Sequence, residues 1–235
     1  MNATDQTEIL ELPCYVAGEE VGGEPLEVIY PYNGELAGRV RMVDGSGLER
    51  ALSATRPVDM TRWQRHEVLM KARELLSGRA EEFAHLIRIE SGLCMRETRY
   101  EVGRTQDGLQ FAAMEALRDD GQVFSCDVSP QGKARKIFTL REPLQLAAAI
   151  TPFNHPLNQV AHKLAPAIAA GVPVLLKPSS KTPLTAIRLT ELLYEAGLPS
   201  AMLSTFVGDR KTITEALVRD PRVDLVTFTG GTGPG

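Results

Sequence analysis

The stretch AAAITPFNHP occupies residues 147–156 and contains the transition that decides the fold. Its first four residues belong to an apolar run, which predicts a buried β-strand. The run passes directly into a loop whose backbone is restricted by Pro152 and Pro156. Because an open parallel sheet binds ligands where its strands end, this loop is a candidate ligand-binding segment.

The same transition from apolar run to loop recurs along the chain. The four runs lie at residues 146–150, 172–176, 203–207 and 225–228. Helical segments separate them. Pro166 lies inside the first helical segment and predicts a kink, while Thr182-Pro183 and Gly197 predict the start and the end of the second. We therefore predict an α/β fold in which a Rossmann-like parallel sheet is flanked by helices.

The segment before this sheet predicts strands followed by helices. Alternating stretches at 26–30 and 35–40 predict strands, and capping-box patterns that begin at Ser46 and Thr61 each predict a helix. We expect the helix after Thr61 to end only at Ser91-Gly92. A third helix is expected from about residue 96 to 118, with one buried face that contains Val102, Leu109, Ala113, Met114 and Leu117.

Residues 121–143 lose the helical spacing and predict a protruding β-hairpin. The turn sequence SPQG lies at 129–132, and apolar residues flank it: Val123, Phe124, Ile137 and Phe138. Such a hairpin is a common dimer-forming device, so we expect a homo-oligomer.

The composition excludes several classes of partner. A hydrophobic content of 43% is ordinary for a globular protein, and the net charge of −4 offers no basic surplus for nucleic acid. No apolar run approaches the roughly 20 residues that a membrane-spanning helix needs. The N-terminus lacks the pattern of a secretory signal. We expect a cytoplasmic protein without nucleic-acid or membrane partners.

The three cysteines predict neither a disulfide framework nor a metal site. Cys14, Cys94 and Cys126 are an odd number and show no metal-type spacing. We expect reduced, structural thiols and no bound metal.

The loop at 151–156 contains the first candidate for chemistry. An Asn amide in a restricted loop, here Asn154, is the type of donor that stabilises an oxyanion when a carbonyl is attacked. The alternative is an Asx turn in which Asn154 caps the following helix.

The loops after two further strands suit a nucleotide. Lys177 ends one strand and is followed by Ser179, Ser180 and a helix N-terminus, which suits ribose hydroxyls or phosphate. A solvated turn is the alternative there. The glycine-rich turn at 229–235 would let backbone N–H groups approach a pyrophosphate.

Five short motifs together resemble the aldehyde dehydrogenase superfamily in order and spacing. They are REP at 141–143, AITPFN at 149–154, KPS at 177–179, EAGLP at 195–199 and FTG at 228–230. The resemblance covers nearly the whole chain and is closest to the phosphonoacetaldehyde and lactaldehyde branch. It implies NAD(P)-dependent oxidation of an aldehyde to its acid. It also implies three parts: N-terminal strands and helices of the dinucleotide-binding domain at 1–120, an oligomerisation hairpin at 121–143, and a nucleotide-binding βαβ segment at 144–235.

The resemblance also implies roles for particular residues. Asn154 would be the oxyanion-stabilising amide. The implied cofactor-binding residues are Thr151, Pro152, Phe153, Lys177, Ser179, Ser180, Gly208, Gly230 and Gly231. Arg104 would border the substrate tunnel and, with His155, would favour a small-molecule aldehyde that is anionic. The alternative is a surface Arg and a packed His.

The chain departs from the family pattern at two cofactor positions. Ser180 stands where many NAD-preferring members have Glu, and the loss of that charge would let a 2′-phosphate bind with help from Lys181. We therefore expect either NAD or NADP as the cofactor. Gly231 stands where the family often has Ser, which removes one hydroxyl from the phosphate contact.

In the family, the Cys nucleophile and the Glu base lie beyond the Phe-Thr-Gly motif, hence beyond Gly235. We therefore expect a truncated aldehyde dehydrogenase fold without the catalytic domain, and a chain that is inactive by itself. The rival hypothesis is a catalytically inactive dinucleotide-binding or assembly module. A short-chain Rossmann reductase is excluded, since the chain lacks both a Gly-x-Gly-x-x-Gly turn after its first strand and a Tyr-x-x-x-Lys pair.

Overall fold

The fold was obtained as a computed structural model that describes residues 9–118 and 120–232, apart from the side chain of Arg210. The N-terminal part consists of short strands and then helices. The strands are β1 (Leu10–Leu12), β2 (Cys14–Val16), β3 (Glu19–Val21), β4 (Pro25–Ile29) and β5 (Leu36–Arg41). The helices are α1 (Gly45–Ala54), α2 (Arg62–Gly78), α3 (Ala80–Ser91) and α4 (Met95–Ala116).

The C-terminal part begins with a hairpin and continues as alternating strands and helices. The hairpin strands are β6 (Val123–Ser125) and β7 (Lys136–Phe138). The alternating elements are β8 (Ala147–Ile150), α5 (Asn158–Ala170), β9 (Val174–Lys177), α6 (Leu184–Glu195), β10 (Leu203–Thr205), α7 (Glu215–Arg219) and β11 (Leu225–Phe228). A 3₁₀ turn (Ser200–Met202) precedes β10, and a π-helical segment (Arg210–Thr214) precedes α7.

The central sheet has the strand order β11-β8-β9-β10-β2-β3. Its four C-terminal strands are parallel to their neighbours, while β2 and β3 add antiparallel at the β10 edge. The predicted parallel α/β sheet is therefore confirmed. The sequence pattern did not predict that the early strands β2 and β3 would join it. The other early strands form a separate sheet in the order β1-β5-β4.

Apolar side chains cover both faces of the central sheet at β8, β9 and β10, whereas the edge strand β11 is largely exposed. Leu175 and Leu176 are adjacent in β9 and point to opposite faces, because side chains alternate along a strand. Leu176 packs in a core shared with α2 to α6, whereas Leu175 packs with residues of α1 and β5. A sheet covered on both faces explains why its strands are apolar runs rather than alternating ones.

Some of the predicted helix boundaries are confirmed and others are wrong; among the confirmed ones, Gly197 lies in a left-handed conformation just after the end of α6. The Thr61 capping box is present, and Gly92, in a left-handed conformation, ends α3. Ser46 is not the cap of α1, because Asp44 lies at the N-cap and accepts a hydrogen bond from the Gly47 amide at 2.9 Å. The helix expected from Thr61 to Ser91 breaks at Arg79, which leaves two helices.

The buried face of α4 differs in part from the predicted one. Val102, Leu109 and Ala113 are buried, but Met114 and Leu117 are exposed. Ala112 and Ala116 are buried with Ala113, so the core lies on that side of the helix and Met114, about 100° on from Ala113, points away from it. None of the described helices is long and apolar enough to cross a membrane.

The predicted hairpin is present as a separate two-stranded sheet. Val123 pairs with Phe138, and Phe124 with Ile137. The turn closes through a hydrogen bond from the Gly132 amide to the Ser129 carbonyl at 2.8 Å. All four apolar side chains of the pairs are exposed, so the hairpin is confirmed and its role in assembly stays a prediction.

Replacing Gly208 by alanine tests the packing beside β10. A Cβ at Gly208 would lie 2.7 Å from the Val43 carbonyl oxygen and 2.7 Å from a side-chain carbon of Ile213. We expect Gly208→Ala to lower the free energy of unfolding by about 1 to 3 kcal/mol in urea titrations. The control is Gly103→Ala in α4, where a Cβ meets nothing within 4 Å and should stabilise by about 0.5 to 1 kcal/mol. Equal stability of the two variants would contradict this account.

Candidate functional site

The carboxyl ends of three neighbouring strands lie level with one another. Ile150 at the end of β8 pairs with Lys177 of β9 on one side and with Phe228 of β11 on the other. The loops that follow begin side by side, since the Thr151 amide donates to the Lys177 carbonyl at 3.3 Å and the Thr229 amide to the Ile150 carbonyl at 3.1 Å. The segments that contain Asn154, Lys177 and Gly230 thus leave the same edge of the sheet.

The side chain of Asn154 is not used to cap the next helix. The amides of Leu157 and Asn158, at the start of α5, both donate to Oε1 of Glu101 at 2.9 Å. Asn154 is exposed, and its side chain has no partner in the part of the chain that the structure describes. The Asx-turn alternative is therefore not observed, and the amide is available to a ligand.

Glu101 is a buried carboxylate that reaches the loop from α4. Its residue is 2% exposed. Besides the two α5 amides, its Oε2 lies 3.3 Å from Nδ1 of His155. Burial raises the pKa of Glu101 above its ordinary value, although the amide donors and His155 act in the opposite direction. His155 is thus tied to a carboxylate, which its sequence position did not suggest.

A second buried carboxylate, Glu90, caps α6 in the same way. The amides of Leu184 and Thr185 donate to its two oxygens at 2.7 and 3.1 Å. The expected cap by Thr182 is wrong, because a carboxylate from α3 already satisfies these amides; the Thr182 hydroxyl instead lies 3.4 Å from the carbonyl oxygen of Phe153. Burial raises the pKa of Glu90 to about 8.

The two carboxylates change which helix N-termini can bind an anion. Free amides at the start of a helix normally attract phosphate. Glu90 and Glu101 occupy those amides in α6 and α5. A phosphate group at this edge therefore has to use other donors, and the backbone of Gly230 and Gly231, which follow β11, is a candidate.

The loop after β9 connects to the Asn154 loop. Lys177 is 7% exposed, which argues against a fully solvated turn, whereas Ser180 is exposed. Ser179 stabilises the turn by accepting a hydrogen bond from the Lys181 amide at 3.2 Å. The Lys181 ammonium lies 4.9 Å from the centre of the Phe153 ring, so it bridges the two loops.

Two further features suit a dinucleotide at this edge. The Thr151 hydroxyl is buried and has no hydrogen-bond partner among the described residues, a state that is rare unless a ligand or water completes it. Gly230 is exposed, and a Cβ there would first meet the outer atoms of the exposed Phe228 ring, so its backbone is accessible to a ligand. Gly208 follows β10, where the close approach of Val43 and Ile213 explains the glycine without a ligand.

Arg104 and His155, the two side chains predicted to face a substrate, have different surroundings. Arg104 is exposed and lies 6.0 Å from the Tyr100 ring centre, whereas His155 contacts Glu101. Sequence reasoning missed His162 and Lys163 on α5. Burial lowers the pKa of His162, and the positive charges of Arg104 and Lys163 lower it further, so the neutral imidazole is favoured.

Lys163 is the buried cation nearest to the end of β11. It is 8% exposed, and its Nζ donates to the hydroxyls of Thr227 and Thr229 at 3.0 and 2.9 Å. Burial lowers its pKa below the ordinary value. The signal that could have revealed it is a lysine directly before the apolar helical stretch LAPAIAA at 164–170.

A cavity of about 1260 Å³ lies on another part of the sheet. It is bounded by α2, α4, α5 and residues 141–144, and Lys163 and Thr227 lie on its wall. Asn154, Lys177 and Gly230 do not line it. The predicted site is thus an open edge of the sheet and not this cavity.

The comparison with known proteins identifies the family. The profile of the aldehyde dehydrogenase family matches residues 15–235. This chain belongs to the aldehyde dehydrogenase family. The 3-sulfolactaldehyde dehydrogenase of Priestia aryabhattai is 39% identical over 231 residues, which cover 97% of this chain and 48% of the relative.

Solved aldehyde dehydrogenase structures share the fold. Aldehyde dehydrogenase 21 from Physcomitrella patens, in complex with the reaction product succinate, has a TM-score of 0.91 at 33% identity. The match covers 97% of this chain and 49% of that structure's chain. The NADP-dependent glyceraldehyde-3-phosphate dehydrogenase from Bacillus halodurans, complexed with NADP, has a TM-score of 0.89 at 30% identity, and the match covers 96% of this chain and 49% of that structure's chain. The chain spans about half the length of these relatives.

The cysteines of this aldehyde dehydrogenase chain lie away from the three loops. Cys14 is buried in β2, where its Sγ lies 3.0 Å from the Arg41 carbonyl and 3.2 Å from the Val207 amide, and burial raises its pKa to about 12. Cys94 precedes α4, and Cys126 lies in the hairpin. A protonated, buried Cys14 fits the predicted structural thiol. No group of side chains suited to a metal ion occurs within residues 9–118 and 120–232.

The raised pKa of Glu90 predicts a pH dependence of stability. From its ordinary value of 4.5 up to about 8, the folded protein holds a proton that the unfolded chain has released, so stability falls as pH rises through this window. Glu90→Gln should make the fall shallower by up to about 1.4 kcal/mol for each pH unit, measured by urea unfolding. The control Glu82→Gln, at an exposed position of α3, should keep the wild-type slope. An unchanged slope in Glu90→Gln would refute the assignment.

Proposed function

We propose that this chain is the dinucleotide-binding part of an NAD(P)-dependent enzyme that oxidises an aldehyde to its carboxylic acid. The observation that carries the proposal is the edge formed by β8, β9 and β11, where the unpaired Asn154 amide and the orphaned Thr151 hydroxyl lie beside Lys177. The Asn154 amide would donate to the aldehyde oxygen as negative charge develops on it.

Different loops at this edge would bind different parts of the cofactor. The loop formed by Thr151, Pro152 and Phe153 would hold the nicotinamide end, which accepts the hydride that aldehyde oxidation releases. Lys177, Ser179 and Ser180 would contact the adenosine ribose, and the backbone at Gly230 and Gly231 would lie by the pyrophosphate. Glu90 and Glu101 support this assignment, because they already accept from the first amides of α6 and α5. The pyrophosphate therefore needs other donors, such as the backbone of the turn after β11.

An NADP-type cofactor fits the ribose loop. Ser180 places no carboxylate where it would repel a 2′-phosphate, and the Lys181 ammonium is close by over Phe153. A relative with a TM-score of 0.89 is described as NADP-dependent.

An anionic aldehyde fits Arg104, which is exposed on α4, whereas His155 is held by Glu101. The relatives named for sulfolactaldehyde and glyceraldehyde 3-phosphate, and the one solved with the reaction product succinate, all involve compounds with an acidic group. We further propose that the exposed apolar hairpin strands, β6 and β7, mediate homo-oligomerisation.

Cofactor titrations test the proposed function. We expect the purified chain to bind NADPH and NADH, followed by the fluorescence of the reduced nicotinamide. Ser180→Glu should weaken NADPH binding by about tenfold or more, which corresponds to 1.4 kcal/mol, and should spare NADH binding. The control Ser129→Glu adds the same charge at the hairpin turn and should change neither. Absence of binding by the wild-type chain would refute the proposal.

A turnover assay tests whether the chain contains its own nucleophile. Because Cys14 is buried and Cys94 and Cys126 lie outside the three loops, we expect no NADPH to form from NADP⁺ and succinic semialdehyde, an anionic aldehyde. The measurement is the absorbance of NADPH. Any NADPH formed in proportion to the protein would show that a thiol of this chain reacts, and cysteine-to-serine variants would identify it.

A further inference from the structure

We propose that Glu101 is the positioning residue of the Asn154 loop, and that it fixes the direction of the Asn154 side chain through His155 and the first amides of α5. The significance for catalysis rests on the proposed function, in which Asn154 donates to the aldehyde oxygen. The structural part concerns only the loop and α4.

Both oxygens of Glu101 hold the C-terminal half of the loop. Oε1 accepts from the amides of Leu157 and Asn158 at 2.9 Å, and Oε2 lies 3.3 Å from Nδ1 of His155. These three contacts flank Pro156, whose ring restricts its own backbone. A single buried carboxylate therefore binds residues 155 to 158 as one unit.

The N-terminal half of the loop is held separately. The Thr151 amide donates to the Lys177 carbonyl at 3.3 Å, and the carbonyl of Phe153 lies 3.4 Å from the Thr182 hydroxyl. Asn154 is the one residue between these two anchors, and its own side chain makes no hydrogen bond within the described chain. Its direction is thus set by its neighbours, Phe153 on one side and His155 on the other.

Burial makes the C-terminal anchor the stronger one. Hydrogen bonds are electrostatically stronger in a buried site, and the Glu101 carboxyl, which is 2% exposed, accepts two of them from amides at 2.9 Å. The N-terminal anchor uses neutral groups at longer distances. Loss of the carboxylate should therefore free the loop chiefly at His155 and, through it, at Asn154.

Glu90 provides a matched control for capping alone. It also caps a helix that follows a strand, through two amides at similar distances. The described contacts of Glu90 include no side chain in the loop before α6 that corresponds to His155. A variant at Glu90 thus removes a buried cap without removing any hydrogen bond to residues 154–158, which separates loop positioning from general loss of stability.

The test compares Glu101→Gln, His155→Ala and Glu90→Gln in the full chain. The first readout is hydrogen exchange of the amides in 153–158. The second is the side-chain NH₂ signal of Asn154 in ¹⁵N spectra, assigned by its absence in Asn154→Asp. We expect Glu101→Gln to speed exchange in this segment by about tenfold or more and to shift or broaden the Asn154 signal, with Glu90→Gln leaving both as in the wild type.

His155→Ala keeps the proposal testable if Glu101→Gln does not fold. The His155 side chain is 46% exposed, so its removal should be tolerated. It should move the Asn154 signal while the Leu157 and Asn158 amides stay protected. The proposal is overturned if the Asn154 signal is unchanged in the folded variants, or if Glu90→Gln alters the segment as much as Glu101→Gln.

NADPH affinity separates this inference from the proposed function. We expect Glu101→Gln to weaken NADPH binding, because residues 151–153 share the loop. If the wild-type chain binds no NADPH, the proposed function fails, while exchange and the Asn154 signal still decide the role of Glu101. If the wild-type chain binds NADPH but the loop of Glu101→Gln is unaltered, only the positioning role fails.

Discussion

Two buried carboxylates hold the first turns of α5 and α6, and the ligand-facing edge of the sheet depends on them. The amides at the start of a helix need acceptors, and a loop normally supplies one from its own polar side chains. Here Glu101 and Glu90 supply them from α4 and α3. The polar side chains of the loops are released from capping, so Asn154 is left exposed at the edge where Lys177 also lies.

The same interaction explains where sequence reasoning succeeded and where it failed. The apolar runs predicted all four parallel strands, and three of them, β8, β9 and β10, are buried on both faces. Gly92 was also identified from local sequence. The cap of α6 was not identified, because Glu90 is 94 residues from Leu184 along the chain. In the sequence, Glu90 has the pattern of a surface residue on an amphipathic helix. Thr182 was the best local candidate, and a tertiary contact displaced it.

In the candidate site, too, local sequence predicted the positions of residues but not their long-range contacts. The positions of Asn154 and Lys177 at strand ends could be predicted, because register along a parallel sheet follows from the runs themselves. The partners of His155 and Lys163 could not, since Glu101 is 54 residues before His155 and Thr227 is 64 residues after Lys163. A histidine expected to face a substrate therefore proved to contact a buried carboxylate, and a buried lysine was overlooked.

Buried carboxylates are a costly way to cap a helix. Removing each from water is unfavourable, as the raised pKa values of Glu90 and Glu101 show, and a serine or asparagine cap would avoid that cost. What the carboxylates add is a direct link between the helix layer and the loops of the sheet. Because α4 packs against α5 and also bears Glu101, a shift of one helix relative to the other moves the anchor of the Asn154 loop. The geometry at the sheet edge is thus set by the packing of the core beneath it, and less by the sequence of the loop.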